Sequence, residues 1–576
     1  MRLNKDFFLS NQQISFLGDG ELGGKASGLE FINSILETKI DKEKFAEFEI
    51  NIPKMIVIKT DVFDDFMRMN KLWNVVFSDK PDDRIALAFQ KADLPFNILG
   101  DLRMIVNEIK LPLAIRSSSV LEDAINEPFA GTYKTKMIPN NQPDVDTRFR
   151  KLVEAIKYVY ASTYFKASKK YINATKHEIE DEKMGVIIQE IVGNVCGEEF
   201  YPAISGVARS YNYYPTGGAH PEDGVVNLAF GLGKTIVDGG VSWAYTPMFP
   251  KIDPLFKSRK EMLKHTQLKY WSVNMGKPAE YNPIKETEYM FENHFMDADN
   301  DVTLKIIVST YDVKNDRIWM GQSGEGPQIL TFAPVLKTSI FPLNELVKEL
   351  MKISEEVLTV PVEIEFAVTF PQNKGERYRF GFLQVRPMVV SSEEVEIHKN
   401  DMFGENILVS SSMVLGNGSI SNIKDIIYVK PEMFNVKSTN VIANEIEQID
   451  LKLGNENKQY LLIGFGRWGT TDPWAGIPVD WSQIASAKVI VEAAMENMNQ
   501  EMSQASHFFH NVTSFKVCYF SVPNDGNSEI NWQRLSEMIV VEETEFLKHV
   551  VCENPLSIKA DGRTGIGLIK VGGLEN

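Results

Sequence analysis

"VEIEFAVTFPQNKGERYRFGFLQVRPM" (362–388) decides how the chain is folded. Two runs of apolar alternation flank "NKGE", and a turn centred between Lys374 and Gly375 makes them a β-hairpin. Pairing symmetric about that centre sets Glu365 opposite Gln384 and Glu363 opposite Arg386. Residues two apart share one face of a strand, so two carboxylates, an amide oxygen and a guanidinium converge on one patch. Such oxygen donors suit Mg²⁺, which is held by one or two carboxylates together with phosphate oxygens. A bulge would spoil this register, and the competing reading is a surface charge ladder.

Working outward, "LAIRSSSVLEDAINEPFAGTYKT" (113–135) places Arg116 at the exit of an apolar strand, ahead of three serines. A planar guanidinium there suits phosphate oxygens. Ser117–Ser119 add hydroxyls, and Gly131 lets backbone approach a ligand. The alternative is an arginine salt-bridged to Glu122 or Asp123. "GDGELGGKASGLEFI" (18–32) runs a glycine-flanked Lys25 into a helix. Such a loop offers N–H groups and a point charge to an anion, although the Walker A spacing is absent. A plain turn with a solvent-exposed lysine competes with that reading. "AFGLGKTIVDGG" (229–240) is a second glycine-rich loop and is not specific by itself.

The bulk numbers set limits. At 576 residues the chain exceeds what one hydrophobic core holds. The net charge of −17 argues against nucleic-acid binding, which needs a positive surface. The three cysteines form no C-x-x-C pair, so neither a disulfide framework nor a thiolate zinc site is expected. No run of 18 apolar residues occurs and the opening "MRLNKDFFLSNQQ" lacks a signal-peptide core, which gives a cytoplasmic expectation with no membrane partner.

Strands are expected at 184–192, 225–232, 304–312 and 317–324, one long amphipathic helix over 147–171, and a helix over 343–358. The polar, charged stretch 391–405 reads as a linker. It divides a domain at 1–390 from one at 406–576, where strands are expected at 458–466 and 514–522 with a helix at roughly 483–502 between them. "GFGRWGTTDPWAGIPVDW" (464–481) gathers Trp468, Trp474 and Trp481, either as an aromatic ligand platform or as a well-packed loop. His507 and His510, spaced i, i+3, share a helical face, and no third metal ligand is obvious. They read as structural histidines beside Phe508 and Phe509, or as a phosphorylated or general-base histidine.

In order along the chain, "LGGKASGL", "AIRSSSVLEDAINEPFAGTYKT", "AIKYVYASTYFKASKKY", "MGVIIQEIV", "ISGVARS", "GLGKTIVDGG" and "VEIEFA…FLQVRP" resemble a known family. It is the ATP-grasp nucleotide-binding domain of pyruvate phosphate dikinase and phosphoenolpyruvate synthase, also found in rifampin phosphotransferase. The resemblance implies an α+β fold. A two-lobed ATP-grasp domain would be followed by a smaller α/β domain, a degenerate swivelling domain. It implies ATP and Mg²⁺ as cofactors. Lys25 and Arg116 would contact the ATP phosphates, with Arg116 the catalytic residue. Gly131 and Thr135 would sit on a phosphate-covering loop, and Gln189 would face the adenine. Glu365 and Gln384 would hold Mg²⁺, with Glu363 and Arg386 close by.

The chain also departs from the family pattern. Lys234 replaces the acid of G-L-G-E, and Arg209–Ser210 replace Phe–Thr, both expected to lie off the nucleotide core. None of the eight histidines stands in the family's T-[SC]-H-A context, and His507 is the nearest to it. About 170 residues follow the linker, too few for a swivelling domain plus a (β/α)₈ barrel of about 250 residues. The expectation is a phosphotransferase whose acceptor is His507, a small molecule near the Trp-rich loop, or a partner protein. The alternative is a non-catalytic ATP-binding regulatory module.

Overall fold

The computed structural model describes residues 3–120, 122, 131–173, 177–215, 218–254, 256, 258–264, 266–278, 280–298, 303–323, 326–338, 340–390, 395–404, 406–470, 475–494, 507–524, 526 and 528–572. The fold is mixed α+β and forms two compact units. One comprises Met1–Tyr211, Asp223–Ile236 and Val241–Pro387; the other comprises Asn212–Glu222, Val237–Gly240 and Met388–Asn576. Among the described residues no helix is long and apolar enough to cross a membrane.

In the first unit, a five-stranded sheet runs in the order Ile14–Leu17, Met55–Ile58, Met184–Glu190, Leu113–Ser119, Lys136–Ile138. A six-stranded sheet contains the hairpin Val362–Thr369 and Tyr378–Pro387, flanked by Ile204–Arg209 and Phe48–Asn51. The helix Gly24–Thr38 packs against strands of both sheets. Its Leu29, Ile32, Ile35 and Leu36 recur at helical spacing and share one apolar core with Val362, Ile364 and Phe366. That helix therefore ties the lysine loop to the hairpin.

The hairpin register is as expected on the site side: Glu363 pairs with Arg386 and Glu365 with Gln384. A bulge does occur, between Glu365 and Phe366, where Phe366 pairs with Phe382 and Leu383 becomes the extra residue. It falls on the turn side of both pairs, so it leaves the patch intact.

Three local expectations need correction. The segment 147–171 is two helices, Val145–Ser162 and Lys166–Asn173. The Ser162 carbonyl accepts from Ser168 Oγ at 2.7 Å, a local side-chain bond that competes with helix continuation. Residues Leu304–Ile307 form a helical turn before the strand Val308–Asp312. At 483–502, Ala487–Ala493 is a strand, and 495–502 lie outside the described residues. Its β-branched run "VIV" is buried between two parallel neighbours, and that burial overrides helix propensity.

The second unit has a seven-stranded sheet whose core is four parallel strands, Cys518–Val522, Ala487–Ala493, Tyr460–Phe465 and Asp425–Val429. Leu461, Ile463, Val489, Val491 and Phe520 fill the core on one face. Trp468 lies on the other. A Cβ on Gly464 would come within 2.5 Å of its ring, so only glycine lets the indole lie flat on the sheet.

Candidate nucleotide site

Arg116 does not stand at a strand exit. It is the fourth residue of the seven-residue strand Leu113–Ser119, which continues through all three serines. A fully buried serine run is tolerable only if its hydroxyls are satisfied. Ser117 Oγ bonds Glu122 at 3.2 Å, Ser118 Oγ donates to the Leu22 carbonyl at 2.9 Å, and Ser119 Oγ accepts from the Glu122 amide at 3.0 Å.

The same serines fix the lysine loop. Ser118 Oγ accepts from the Ala26 amide at 3.0 Å at the start of the helix. Gly23 has φ +80°, and a Cβ there would lie 1.7 Å from the Ser118 carbonyl oxygen. No other residue fits so close an approach. The loop's amides are less open to an anion than expected. Those of Asp19 and Gly20 bond the Asp61 carboxylate, and that of Glu21 bonds Thr60 Oγ1. What the loop presents is the Lys25 side chain, whose Nζ lies 2.5 Å from Glu122 Oε1 and 3.3 Å from Ser117 Oγ.

Arg116 is not the partner of Glu122; Lys25 takes that position. Asp123, the other carboxylate weighed for Arg116, lies outside the described residues. The guanidinium instead spans to the hairpin. Nη1 donates to Gln189 Oε1 at 3.2 Å and to the Leu383 carbonyl at 2.8 Å, and Nη2 donates to Gln384 Oε1 at 2.8 Å. Leu383 is the bulge residue, so the irregularity in the hairpin supplies one acceptor for the arginine.

From Gln384 the cluster continues across the hairpin. Arg386 Nη2 lies 2.6 Å from Glu365 Oε1 and its Nε lies 2.7 Å from Glu363 Oε1. Arg209 closes the chain with an ion pair to Glu363 Oε2. Arg209 pairs with Glu363 in the strand register as well, which corrects the expectation that this departure lies off the site. The side chains of Glu363, Arg209 and Arg386 are at most 4% exposed, whereas that of Glu365 is 15% exposed. Lys234, the other departure, sits 5.7 Å above the Trp271 ring.

Arg116, Gln189, Glu363, Glu365, Gln384 and Arg386 therefore converge, and Lys25 joins through Ser117, the next residue on the arginine strand. Gly131 (φ +70°) is exposed and Thr135 half-buried. Neither makes a hydrogen bond to this cluster among the described residues. Beside Ser119, Glu182 is a fully buried carboxyl that the sequence reading did not single out. Burial pushes it up to about 8; the Glu122 carboxylate adds to that, and the nearby Ser119 and Tyr133 hydroxyls work against it.

A model of the pyruvate phosphate dikinase AMP/ATP-binding domain matches residues 20–406. The chain belongs to that family. Every residue of the two linked clusters falls inside the pyruvate phosphate dikinase AMP/ATP-binding span. The chain is also 24% identical over 271 residues to the "Uncharacterized phosphotransferase YvkC" of Bacillus subtilis (strain 168). The matched stretch is 45% of this chain and 28% of that protein. Arg209, the Leu383 carbonyl and Glu122 as the partner of Lys25 were missed in the sequence. Only Arg209 left a signal there, as a charged residue where the family has an aromatic one.

Outside this domain, His507 and His510 open the helix His507–Ser514, with His510 buried. Trp468 and Trp481 are both buried, and Trp474 lies outside the described residues.

Proposed function

We propose that this chain is an ATP- and Mg²⁺-dependent phosphotransferase whose 1–390 region is a two-lobed ATP-grasp domain. In this reading 391–405 is a linker and 406–576 a separate α/β domain derived from a swivelling domain. The observation that carries the reading is the unbroken line from Arg116 through Gln384 and Glu365 to Arg386. It sets guanidinium and carboxylate groups on adjacent strands inside a domain of AMP/ATP-binding type.

Lys25 and Arg116 hold the phosphates, and Arg116 stabilises charge on the transferred group; in phosphoryl transfer most catalysis is positioning and electrostatics. Gln189 orients the base, and Gly131 and Thr135 belong to a loop over the phosphates. In this reading Mg²⁺ is held by Glu365 and Gln384, whose Oε1 atoms here accept from Arg386 and Arg116 and would turn towards the ion. Glu365 and Gln384 are cross-strand partners with oxygens on one face, and Glu365 is the most open carboxylate of the cluster. When bound there, the ion would neutralise charge on the phosphate oxygens. Glu363, held between two guanidiniums, keeps Arg386 in place.

The test is incubation with [γ-³²P]ATP and [β-³²P]ATP in Mg²⁺, in parallel, resolved on an alkaline gel. The expected result is transfer of label. Acid-labile label lost in His507→Ala makes that histidine the acceptor, and label that survives points to another group or a small molecule. ATP binding with no transfer and no turnover would overturn the enzyme reading and leave a regulatory module.

A further inference from the structure

The second unit holds a small cleft, partly open to solvent, on the sheet face that carries Trp468. Arg467 and Thr470 reach it from the loop after the strand Tyr460–Phe465, and Glu492 and Tyr519 from the two neighbouring strands. Ile490 pairs with Tyr519 in register, and Glu492 is two residues on, so the carboxyl and the phenol share a face. Tyr519 donates its hydroxyl to Glu492 Oε2. The Phe508 ring walls one side, packed so close to Gly469 that a Cβ there would lie 2.2 Å from it.

A carboxyl that is 1% exposed, set in the apolar strand "AKVIVEA", is costly to bury. Burial pushes Glu492 up to about 7, with the Tyr519 hydroxyl and the Arg467 charge working against that shift. The Tyr214 hydroxyl is buried without a partner among the described residues and lies within electrostatic reach of Glu492. The Arg467 guanidinium makes no hydrogen bond or ion pair among the described residues, although its charge reaches Glu492. A guanidinium, a carboxyl, a phenol and the Thr470 hydroxyl are thus gathered around one opening.

We propose that this cleft binds a small hydroxylated anion of a few carbon atoms. Its charged group rests on Arg467 and Thr470, and its hydroxyl on Glu492. A cation is disfavoured by Arg467. Carboxylate and phosphate share the required chemistry, and the probes separate them. The proposal is independent of the phosphotransfer reading.

The experiment is calorimetric titration of the full chain, without nucleotide, with D-glycerate, glycerol 3-phosphate and inorganic phosphate. The expected result is binding of D-glycerate or glycerol 3-phosphate, whichever is tighter naming the charged group, and weaker binding of inorganic phosphate. Arg467→Gln and Thr470→Val each weaken the bound probe, Arg467→Gln by about tenfold or more, as expected for loss of a charge-assisted contact. Arg116→Ala leaves it unchanged. If Arg467→Gln melts early, Thr470→Val decides. No heat with any probe, binding equally tight in both cleft variants, or binding lost in Arg116→Ala would overturn the proposal.

Discussion

Two buried carboxylates in this protein sit in opposite electrical surroundings. Glu363 in the first unit lies between the guanidiniums of Arg209 and Arg386. Glu492 in the second meets a phenol, with one arginine acting on it from a distance. Charges buried in matched sets hold a geometry, because each is costly without its partner. A carboxyl buried beside neutral hydroxyls is pushed towards its protonated form. The first arrangement therefore fixes the shape of a site, and the second yields a group that titrates near neutrality. Glu182, in the first unit but among hydroxyls, belongs with Glu492 and shows that local partners, not the unit, decide the outcome.

The comparison is broken most directly at Glu363. Glu363→Gln leaves two buried guanidiniums facing a neutral amide and is expected to cost about 3–5 kcal/mol, read as a lowered thermal or urea midpoint. A change under about 1 kcal/mol would mean that the arginines find other partners and that the network does not hold the hairpin face.

Glu182 and Glu492 sharpen the contrast through pH. Each holds its proton in the fold at pH values where the unfolded chain, near 4.5, has released it. Folding then takes up a proton, so stability falls as pH rises through the window and levels off above it. For Glu182 the window runs from 4.5 to about 8. Glu182→Gln should be more stable than the parent at pH 8 by about 4 kcal/mol, with the gain shrinking towards pH 5. For Glu492 the window closes at about 7, and the corresponding gain of Glu492→Gln is smaller, about 3 kcal/mol. Midpoints independent of pH in both parent and variants would show that these carboxyls are ionised in the fold.

The hairpin patch was legible because it rests on local periodicity: alternation gives the faces, and the turn gives the pairing. Arg209 was not, since its role depends on the strand Ile204–Arg209 pairing with Val362–Thr369, more than 150 residues away, which no local pattern announces. The extra residue at Leu383 was equally silent, although it supplies an acceptor for Arg116. The serines after Arg116 looked like the end of a strand because their burial depends on Glu122, Leu22 and Ala26. Glu492 was hidden by a different error. Residues 483–502 were expected to be helical, whereas Glu492 lies in a parallel strand and is buried. The β-branched "VIV" before it was the signal that favoured a strand.

The smallest expected effect lies at the edge of the matched network. Glu365→Gln keeps the shape of the side chain and removes its charge, so the fold should hold while the Mg²⁺ concentration needed for nucleotide binding rises by about tenfold. An unchanged Mg²⁺ requirement would remove Glu365 from the ion's ligands.

The central claim is that Arg116 and the hairpin face form a nucleotide site. It is tested most directly by calorimetric titration of the full chain with MgATP, alongside Arg116→Ala. The account predicts one nucleotide bound per chain and an affinity about a hundredfold weaker or worse in Arg116→Ala, the cost of removing a charged partner. A parent chain that takes up no ATP, or an Arg116→Ala protein that binds it as the parent does, would contradict the account.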